Sequence, residues 1–262
     1  MKTHLVLAIS ILLGVVANAA PINSMLGADG VDRVVDSIEY PYVTDGLIAA
    51  WDGIWNAGLG IHDPNATIWK NLAGGDDMTI YPQNTRWTDS SLVGVQREWE
   101  SANKTLAMGS SSAIPDFART VEIVVYTDNI ESQCLYAKGG WDTPLYQHIY
   151  FSSYGLQFAR TTSGHSNGIS RTNLPTMFYA ARTCNDAGTT TAIFLNGSEY
   201  FGMCRGVSFA SLYYNFGSGH NQRADISFPF IGEVFAMRFY DRELTPEEIE
   251  WNYSIDKERF GL

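Results

Sequence analysis

The sequence predicts an all-β fold, a two-sheet antiparallel sandwich closed by one short C-terminal helix. Three observations support this. Short apolar or alternating runs recur along the 262 residues, turn-forming Gly, Asn and Asp residues separate them, and one capped helix follows the last run. Such runs without intervening helical patterns favour sheet-on-sheet packing over an α/β arrangement. No internal repeat or second linker appears, so we expect one domain.

Two segments are predicted as the main core strands. Thr120 to Tyr126 is rich in β-branched residues and alternates valine and isoleucine on one face. Gly232 to Tyr240 is apolar on both faces, which indicates a central strand buried on both sides. One of its faces is predicted to hold Val234, Ala236, Arg238 and Tyr240. Further short strands are expected at 46–52, 67–72, 134–138 and 155–160.

A β-hairpin is predicted around Asn196-Gly197. The runs Thr191 to Leu195 and Ser198 to Gly202 flank this pair. Asn-Gly supplies the two positive-φ residues that a type I′ turn requires. Pro175 to Cys184 precedes the hairpin and is predicted as the third strand of the same meander.

The helix is predicted from its first turn. Thr245-Pro246-Glu247-Glu248 is a capping box with proline at the first helical position. The threonine hydroxyl and the Glu248 carboxylate can each bind an amide that lacks a helical partner. The two acids also face the positive end of the helix dipole.

The N-terminus is predicted to be a signal peptide spanning residues 1–19. Leu5 to Val16 is an apolar run of about twelve residues, shorter than the roughly 20 needed to span a bilayer. Ala17-Asn18-Ala19 follows it and has the small-x-small pattern of a cleavage site. We therefore expect a secreted or cell-envelope-exposed protein, with a lead-in at 20–41 and a sandwich domain at 42–262.

The charge balance restricts the classes of partner. The full chain carries a net charge of −11, and loss of Lys2 with the signal peptide makes it −12. An acidic surface repels phosphate groups, which argues against nucleic acid and anionic lipid as partners. No later segment is long and apolar enough to predict a membrane span.

The three cysteines, Cys134, Cys184 and Cys204, are expected to be buried free thiols. An odd number leaves at least one of them without a partner in the chain. Cys184 and Cys204 are predicted on the outer strands of the meander, about 10 Å apart, which is too far for a disulfide. No Cys-x-x-Cys or Cys/His cluster indicates a zinc site.

Four stretches resemble the concanavalin A-like lectin/glucanase superfamily, and specifically its laminin G-like branch found in secreted bacterial proteins. They are GLIAAWDGIWNAGLGIHDPNATIWKNLAG, RTVEIVVYTD, TAIFLNGSEYFG and IGEVFAMRFYDRELTPEEIEWNY. The last is the most specific, because it sets a strand, a turn, a cap and a helix at fixed spacing. The resemblance covers about residues 42 to 260. It implies a jelly roll of two antiparallel sheets, in a family whose members are commonly carbohydrate- or protein-binding modules and only sometimes enzymes.

No enzyme template of this superfamily fits the sequence. Its glycosidases carry two acids on one strand in an E-x-D-x-x-E pattern, and that spacing is absent. Glu122 and Glu233 stand alone on their strands and are interpreted as strand-edge or outward charges. Alginate lyases of similar fold use Arg-x-Glu and Gln-x-His elements, but Arg97-Glu98 and Gln147-His148 lack the intervening residue and would point to opposite faces. We therefore expect a protein without catalytic activity.

Aromatic and polar loop residues are the candidates for ligand binding. Tryptophan and tyrosine rings stack on the apolar faces of sugars, and amide or carboxylate groups bind the hydroxyls. We expect Trp51, Trp69 and Tyr240 to be core residues instead. The candidate ligand-binding residues are Trp141, Asp142, Tyr146, His165, Asn167, His220 and Asn221.

Calcium is the one cofactor considered. It needs several oxygen ligands, and Asp76-Asp77 after Gly74-Gly75 are candidate metal ligands, with a solvated turn as the alternative. The leading hypothesis for function is a secreted, non-catalytic, glycan-binding module. The alternatives are a protein-binding adhesion or envelope component and a polysaccharide-active hydrolase or lyase. The expected partner is accordingly a glycan or an extracellular protein.

Overall fold

A computed structural model describes the chain at residues 38–80, 85–94, 107–109, 118–128, 133–138, 147–152, 154–159, 166–185, 190–200, 215–216, 218–219 and 227–262. In chain order the strands are β1 (Leu47–Asp52), β2 (Ile68–Trp69), β3 (Met78–Ile80), β4 (Thr85–Trp87), β5 (Leu92–Gly94), β6 (Ala107–Gly109), β7 (Thr120–Tyr126), β8 (Gln133–Lys138), β9 (Gln147–Ser152), β10 (Gly155–Ala159), β11 (Ser166–Ser170), β12 (Met177–Cys184), β13 (Thr190–Leu195), β14 (Ser198–Glu199), β15 (Asn215–Phe216), β16 (Ser218–Gly219), β17 (Ser227–Pro229) and β18 (Gly232–Tyr240). A 3-10 turn spans Arg171–Asn173, and helix α1 spans Pro246–Phe260.

The strands form two large antiparallel sheets, which confirms the predicted sandwich. In the first sheet the order is β14-β13-β12-β7-β18-β5-β4, and β1 also pairs with β18. In the second sheet the order is β11-β10-β9-β8-β15-β6-β3-β2. Strands β16 and β17 pair as a separate ribbon. Strand β18 lies between β7 on one side and β1 and β5 on the other, so it is the central strand that its sequence predicts.

The inter-sheet core is the apolar layer between the two sheets. The first sheet contributes large side chains such as Trp51, Ile123, Phe178 and Phe239. The second sheet contributes Trp69, Leu135, Ile149, Leu156 and Phe158. Trp51 and Trp69 are fully buried, as the sequence predicts. Burial of this kind stabilises the sandwich by removing apolar area from water, at roughly 25 cal/mol per Å².

The helix layer is the second buried layer, between the outer face of the first sheet and α1. Its apolar members include Tyr179, Phe235, Tyr240 and Ile249. The segment 38–43 belongs to it as well, since Tyr42 is only 4% exposed and its hydroxyl donates to Asp256 of α1. Pro41, the last residue of the predicted lead-in, also contacts the helix, because its carbonyl accepts from the Trp251 indole at 3.1 Å.

A bulge corrects the predicted faces of β18. Its register against β7 shifts between Val234 and Ala236. Because one inserted residue reverses the alternation, Val234 joins Met237 and Phe239 in the inter-sheet core, while Ala236 and Tyr240 lie in the helix layer. The placement of Val234 with Ala236, Arg238 and Tyr240 was therefore wrong.

The predicted turn and the predicted N-terminal helix cap are confirmed. Asn196 and Gly197 both have positive φ, 49° and 76°, between β13 and β14. At the start of α1 the Thr245 hydroxyl accepts from the Glu248 amide, and the Glu248 carboxylate accepts from the Thr245 amide. Gly261 ends the helix in the left-handed conformation, with φ of 74°.

Cys134 and Cys184 are buried free thiols, and Cys184 lies on β12, an outer strand of the β12-β13-β14 meander. Cys204 lies outside the described residues. Within the described part of the chain, no helix has the length and apolar character needed to cross a lipid bilayer.

Candidate functional site

The outer face of the second sheet, turned away from the inter-sheet core, carries polar groups on its central strands. Tyr150 on β9 pairs with Cys134 on β8 and with Gln157 on β10. Tyr150 and Gln157 are each flanked along their strands by inter-sheet core residues, so alternation places them on the opposite face. All three are buried, Gln157 completely. This face therefore presents a phenol, an amide and a thiol beneath its outer surface.

Two chain connections leave the same end of this sheet. Lys138 at the end of β8 pairs with Gln147 at the start of β9. Ala159 at the end of β10 pairs with His148 and with Ser166, the first residue of β11. The connections 139–146 and 160–165 therefore leave from neighbouring strand ends, which defines the candidate site at this end of the sheet.

Four of the seven predicted ligand-binding residues belong to these two connections. Trp141, Asp142 and Tyr146 are in the first and His165 is in the second, and all four lie outside the described residues. Asn167 is in β11, where the register places it opposite Phe158, a residue of the inter-sheet core.

The other two predicted binding residues follow a chain segment that runs away from this end. Asn215 pairs with Ala137 and Phe216 with Tyr136, so β15 runs antiparallel to β8 and away from Lys138. His220 and Asn221 come after this segment, next along the chain from β16, and lie outside the described residues.

Tyr150 and Gln157 were not among the predicted site residues. The signal for them is present, because each is a polar residue between two apolar ones, in Ile149-Tyr150-Phe151 and Leu156-Gln157-Phe158. That pattern indicates two faces but does not say which other strands share them. Only strand pairing brings the two residues side by side.

None of the described strands of the second sheet contains an aspartate or a glutamate. In most glycosidases one carboxylic acid protonates the leaving group and a second carboxylate acts as base or nucleophile. The strands of this sheet supply neither. The polar groups on their outer face, Tyr150 and Gln157, are buried.

The predicted calcium ligands form part of a protein-satisfied turn. Asp77 accepts from the Lys70 ammonium and the Asn71 amide, at 2.7 and 2.9 Å. Asp76 beside it is exposed. Among the described residues no group of three or more His, Cys, Asp or Glu is placed to hold a metal ion.

Glu122 of the first sheet lies in the helix layer, where it binds a cation and neutral donors. Glu122 is fully buried, and one of its oxygens accepts from Arg238 Nε at 2.6 Å. Arg238 also forms an ion pair with Asp256 of α1. The interpretation of Glu122 as an outward or strand-edge charge was therefore wrong. Glu233 lies near the start of β18 and accepts from the Ser91 hydroxyl at 2.6 Å.

Neutral side chains complete the hydrogen bonds of this charge cluster. The Tyr179 hydroxyl donates to Glu122 at 2.6 Å, and Asn252 of α1 donates to both Glu122 oxygens. Tyr42 donates to Asp256 at 2.7 Å. We refer to Glu122, Arg238 and Asp256 with these partners as the buried charge cluster. Its carboxylates are fully bonded within the protein and inaccessible, so they hold α1 on the sheet and offer no site for a ligand.

Burial dominates the titration behaviour of this cluster. It raises the pKa of Asp256 above its ordinary value, against the opposing effect of Arg238. Burial also raises the pKa of Tyr179 well above the ordinary value, and the neighbouring Glu122 acts in the same direction. Burial acts to lower the pKa of Arg238. The pKa nevertheless lies well above its ordinary value, because Asp256 and Glu122 stabilise the cation.

No protein-family model matches the sequence, and no curated protein matches it significantly. Among solved structures, a Trypanosoma rangeli sialidase in complex with sialic acid aligns at 14% identity with a TM-score of 0.53, covering 81% of this chain and 33% of that one. A mutant of that sialidase displaying trans-sialidase activity aligns at 15% identity with a TM-score of 0.51, covering 83% and 34%.

The carbohydrate-binding module CBM40 of the Ruminococcus gnavus IT-sialidase, bound to α2,3-sialyllactose, aligns at 15% identity over 53% of this chain and 84% of that one. Its TM-score of 0.36 is too low to support an argument. This chain spans about a third of the length of the T. rangeli sialidases it matches. At such identities the match shows the β-sandwich fold alone.

Proposed function

We propose that this chain is a secreted, non-catalytic module that binds a glycan at the end of the second sheet where the connections 139–146 and 160–165 leave. The observation that carries the proposal is the strand pairing, which brings the strand ends that flank both connections together at one end of a sheet whose described strands contain no acid. The described strands of this sheet lack the acid pair that most glycoside hydrolases use.

Fold and sequence composition add support. The resemblance to the laminin G-like branch implies a binding module, and the β-sandwich likeness to the sialidases is compatible with one. The first connection contains Trp141 and Tyr146, aromatic residues that can stack on sugar rings, and Asp142, which can accept from sugar hydroxyls. The signal-peptide pattern of residues 1–19 is consistent with encounter of glycans outside the cell.

The test is a glycan array followed by calorimetry on the best-binding glycan, with W141A as the main variant. We expect W141A to weaken binding at least about tenfold, equivalent to about 1.4 kcal/mol. The matched control is Y154A, because Tyr154 is 62% exposed at the β9–β10 turn, at the opposite end of the same sheet. Y154A should bind as the wild type does.

Four results would contradict the proposal. Absence of any glycan binding would show that the chain is not a glycan-binding module. Equal loss of affinity in W141A and Y154A would show that the binding site is not at this end of the sheet. Release of reducing ends, or a rise in ultraviolet absorbance from a polysaccharide panel, would instead show a hydrolase or lyase.

A further inference from the structure

The end of the second sheet at which the connections 139–146 and 160–165 leave is rich in basic residues. Lys138 is the last residue of β8, and His148 is the second residue of β9. Arg160 directly follows β10 and His165 directly precedes β11 in the sequence, and both lie outside the described residues. Four neighbouring strands therefore each have one basic residue at or next to this end.

The strand register sets how close these four positions are. His148 pairs with Ala137 on β8 and with Ala159 on β10, and Ala159 also pairs with Ser166 on β11. Adjacent strands lie about 4.8 Å apart, and consecutive Cα atoms are about 3.8 Å apart. The four basic residues are therefore distributed over a width of roughly 15 Å, the width of four strands.

The opposite end of the same four strands has no excess of basic residues. Within two residues of its strand ends, the charged residues are Glu131 and Arg171, one of each sign. Within two residues of the strand ends at the candidate site, the sequence has the four basic residues and no acid. Asp142 is the one acid of the two connections. The basic residues are therefore concentrated at one end of the sheet.

This concentration is opposite in sign to the charge of the whole chain. The sequence has 28 acidic residues against 17 lysines and arginines, and its net charge is −11. Charges farther away than about 8–10 Å are largely screened at physiological ionic strength, so a ligand at this end is affected mainly by local residues. The described strands of the sheet supply no aspartate or glutamate to neutralise them. The local charge favours an anionic group on the ligand.

We propose that the glycan bound at this end carries an acidic group, a carboxylate or a sulfate, which Lys138 and Arg160 bind. This inference rests on the proposed function, because it names the class of glycan for the same site. An ammonium has three N–H donors and a guanidinium has five, and their hydrogen bonds to anionic oxygens are stronger than those to neutral hydroxyls. His148 and His165 each add an N–H donor in either protonation state.

The net charge of the chain limits this inference to small acidic glycans. A nucleic acid duplex carries one charge per about 1.7 Å and would extend beyond the four strands, where the acidic remainder of the chain repels it. A short oligosaccharide with one or a few acidic groups meets only the local basic residues.

The experiment is calorimetry on the full chain with pairs of glycans that differ only in charge. One arm compares oligogalacturonides with their methyl esters, and the other compares sulfated with unsulfated N-acetyllactosamine. We expect the acidic member of at least one pair to bind at least about tenfold more tightly. Preference in the first arm identifies a carboxylate, and preference in the second identifies a sulfate. Raising NaCl from about 0.1 to 1 M should weaken binding of the acidic member and leave that of the neutral member unchanged.

Substitutions test whether the basic residues at this end are responsible. K138Q and R160Q each remove one charge, and each should weaken binding of the acidic glycan at least about fivefold. The matched controls are K257Q on α1 and R86Q on β4, because both of these residues are exposed and lie outside the second sheet. Both controls should bind as the wild type does. Circular dichroism checks that each variant folds.

The outcomes separate this inference from the proposed function. Equal binding of acidic and neutral members in both arms would overturn the inference, and so would losses in K138Q and R160Q no larger than those in K257Q and R86Q. The glycan site would still stand if W141A weakened binding of a glycan found on the array. If neither acidic probe binds, the inference is overturned, and the proposed function is overturned with it only if the glycan array also shows no binding.

Discussion

The two faces of the first sheet are buried to the same degree but by different chemistry. On β18, Phe239 points into the inter-sheet core, whereas its neighbour Arg238 points into the helix layer. On β7, Ile123 and Glu122 are related in the same way, and both are fully buried. The inter-sheet face is covered mainly by hydrocarbon, whereas the helix layer combines apolar residues with a charge cluster whose hydrogen bonds are made within the protein.

This difference in chemistry determines how specifically each layer positions its side chains. Apolar packing is roughly proportional to buried area and has little directionality, so it holds the sheets together without defining one partner for each side chain. The charge cluster is directional, because each oxygen of Glu122 and Asp256 has a donor at a fixed position on β18, α1 or the 38–43 segment. Removing one member leaves the others buried without a partner.

Removal of Arg238 should give the largest effect. We expect R238M to lower the free energy of unfolding by about 3–5 kcal/mol, because Glu122 and Asp256 remain buried without their cation. The measurement is chemical denaturation at neutral pH. F239A, one residue along the strand, is the matched variant and should also cost about 3–5 kcal/mol through cavity formation.

The two losses should respond differently to acid. Protonation of the carboxylates relieves the uncompensated charge in R238M, so its loss should shrink as the pH falls, while that of F239A should not change. Equal pH dependence of the two variants would show that Arg238 contributes through packing alone.

A smaller effect is expected from the proton equilibrium of Asp256. Since burial raises its pKa in the folded state, the native chain binds this proton more readily than the unfolded chain does. The contribution of Asp256 to the free energy of unfolding should therefore increase as the pH falls through its folded-state pKa. The same contribution should decrease as the pH rises through that range. Denaturation of wild type and D256N across mildly acidic to neutral pH measures the difference, which should decrease with increasing pH. A difference that grows with pH would contradict this.

The smallest effect is expected at the exposed ion pair of Lys70 and Asp77. The two side chains are 50% and 30% exposed, so solvent screens their attraction. We expect K70A to change the free energy of unfolding by less than about 1 kcal/mol. A loss as large as that of R238M would mean that an ion pair on the surface and one in the helix layer stabilise the fold equally.

Much of the fold was predictable from the sequence, and for local reasons. The strand β7 follows from β-branched alternation, the β13–β14 turn from Asn196-Gly197, and the start of α1 from Thr245 and Glu248. The faces of β18 were predicted incorrectly near Val234, because alternation assumes a regular strand and the bulge is visible only in the register against β7.

The candidate site was predictable only in part. Composition pointed to aromatic and polar loop residues, and strand pairing then showed that the connections 139–146 and 160–165 leave the same end of the second sheet. The pairing of Tyr150 with Gln157 could not be inferred, since each strand shows its own alternation and nothing about its neighbour.

By itself, the sequence determined which segments become strands, where the hairpin turns and where the helix begins, because these depend on residues a few positions apart. Only the tertiary structure decided that Glu122, Arg238 and Asp256 meet, and which strands, none of them with an acid among the described residues, share the second sheet. Glu122 and Arg238 are 116 positions apart. Contacts over such separations depend on strand order and register, which no local pattern contains.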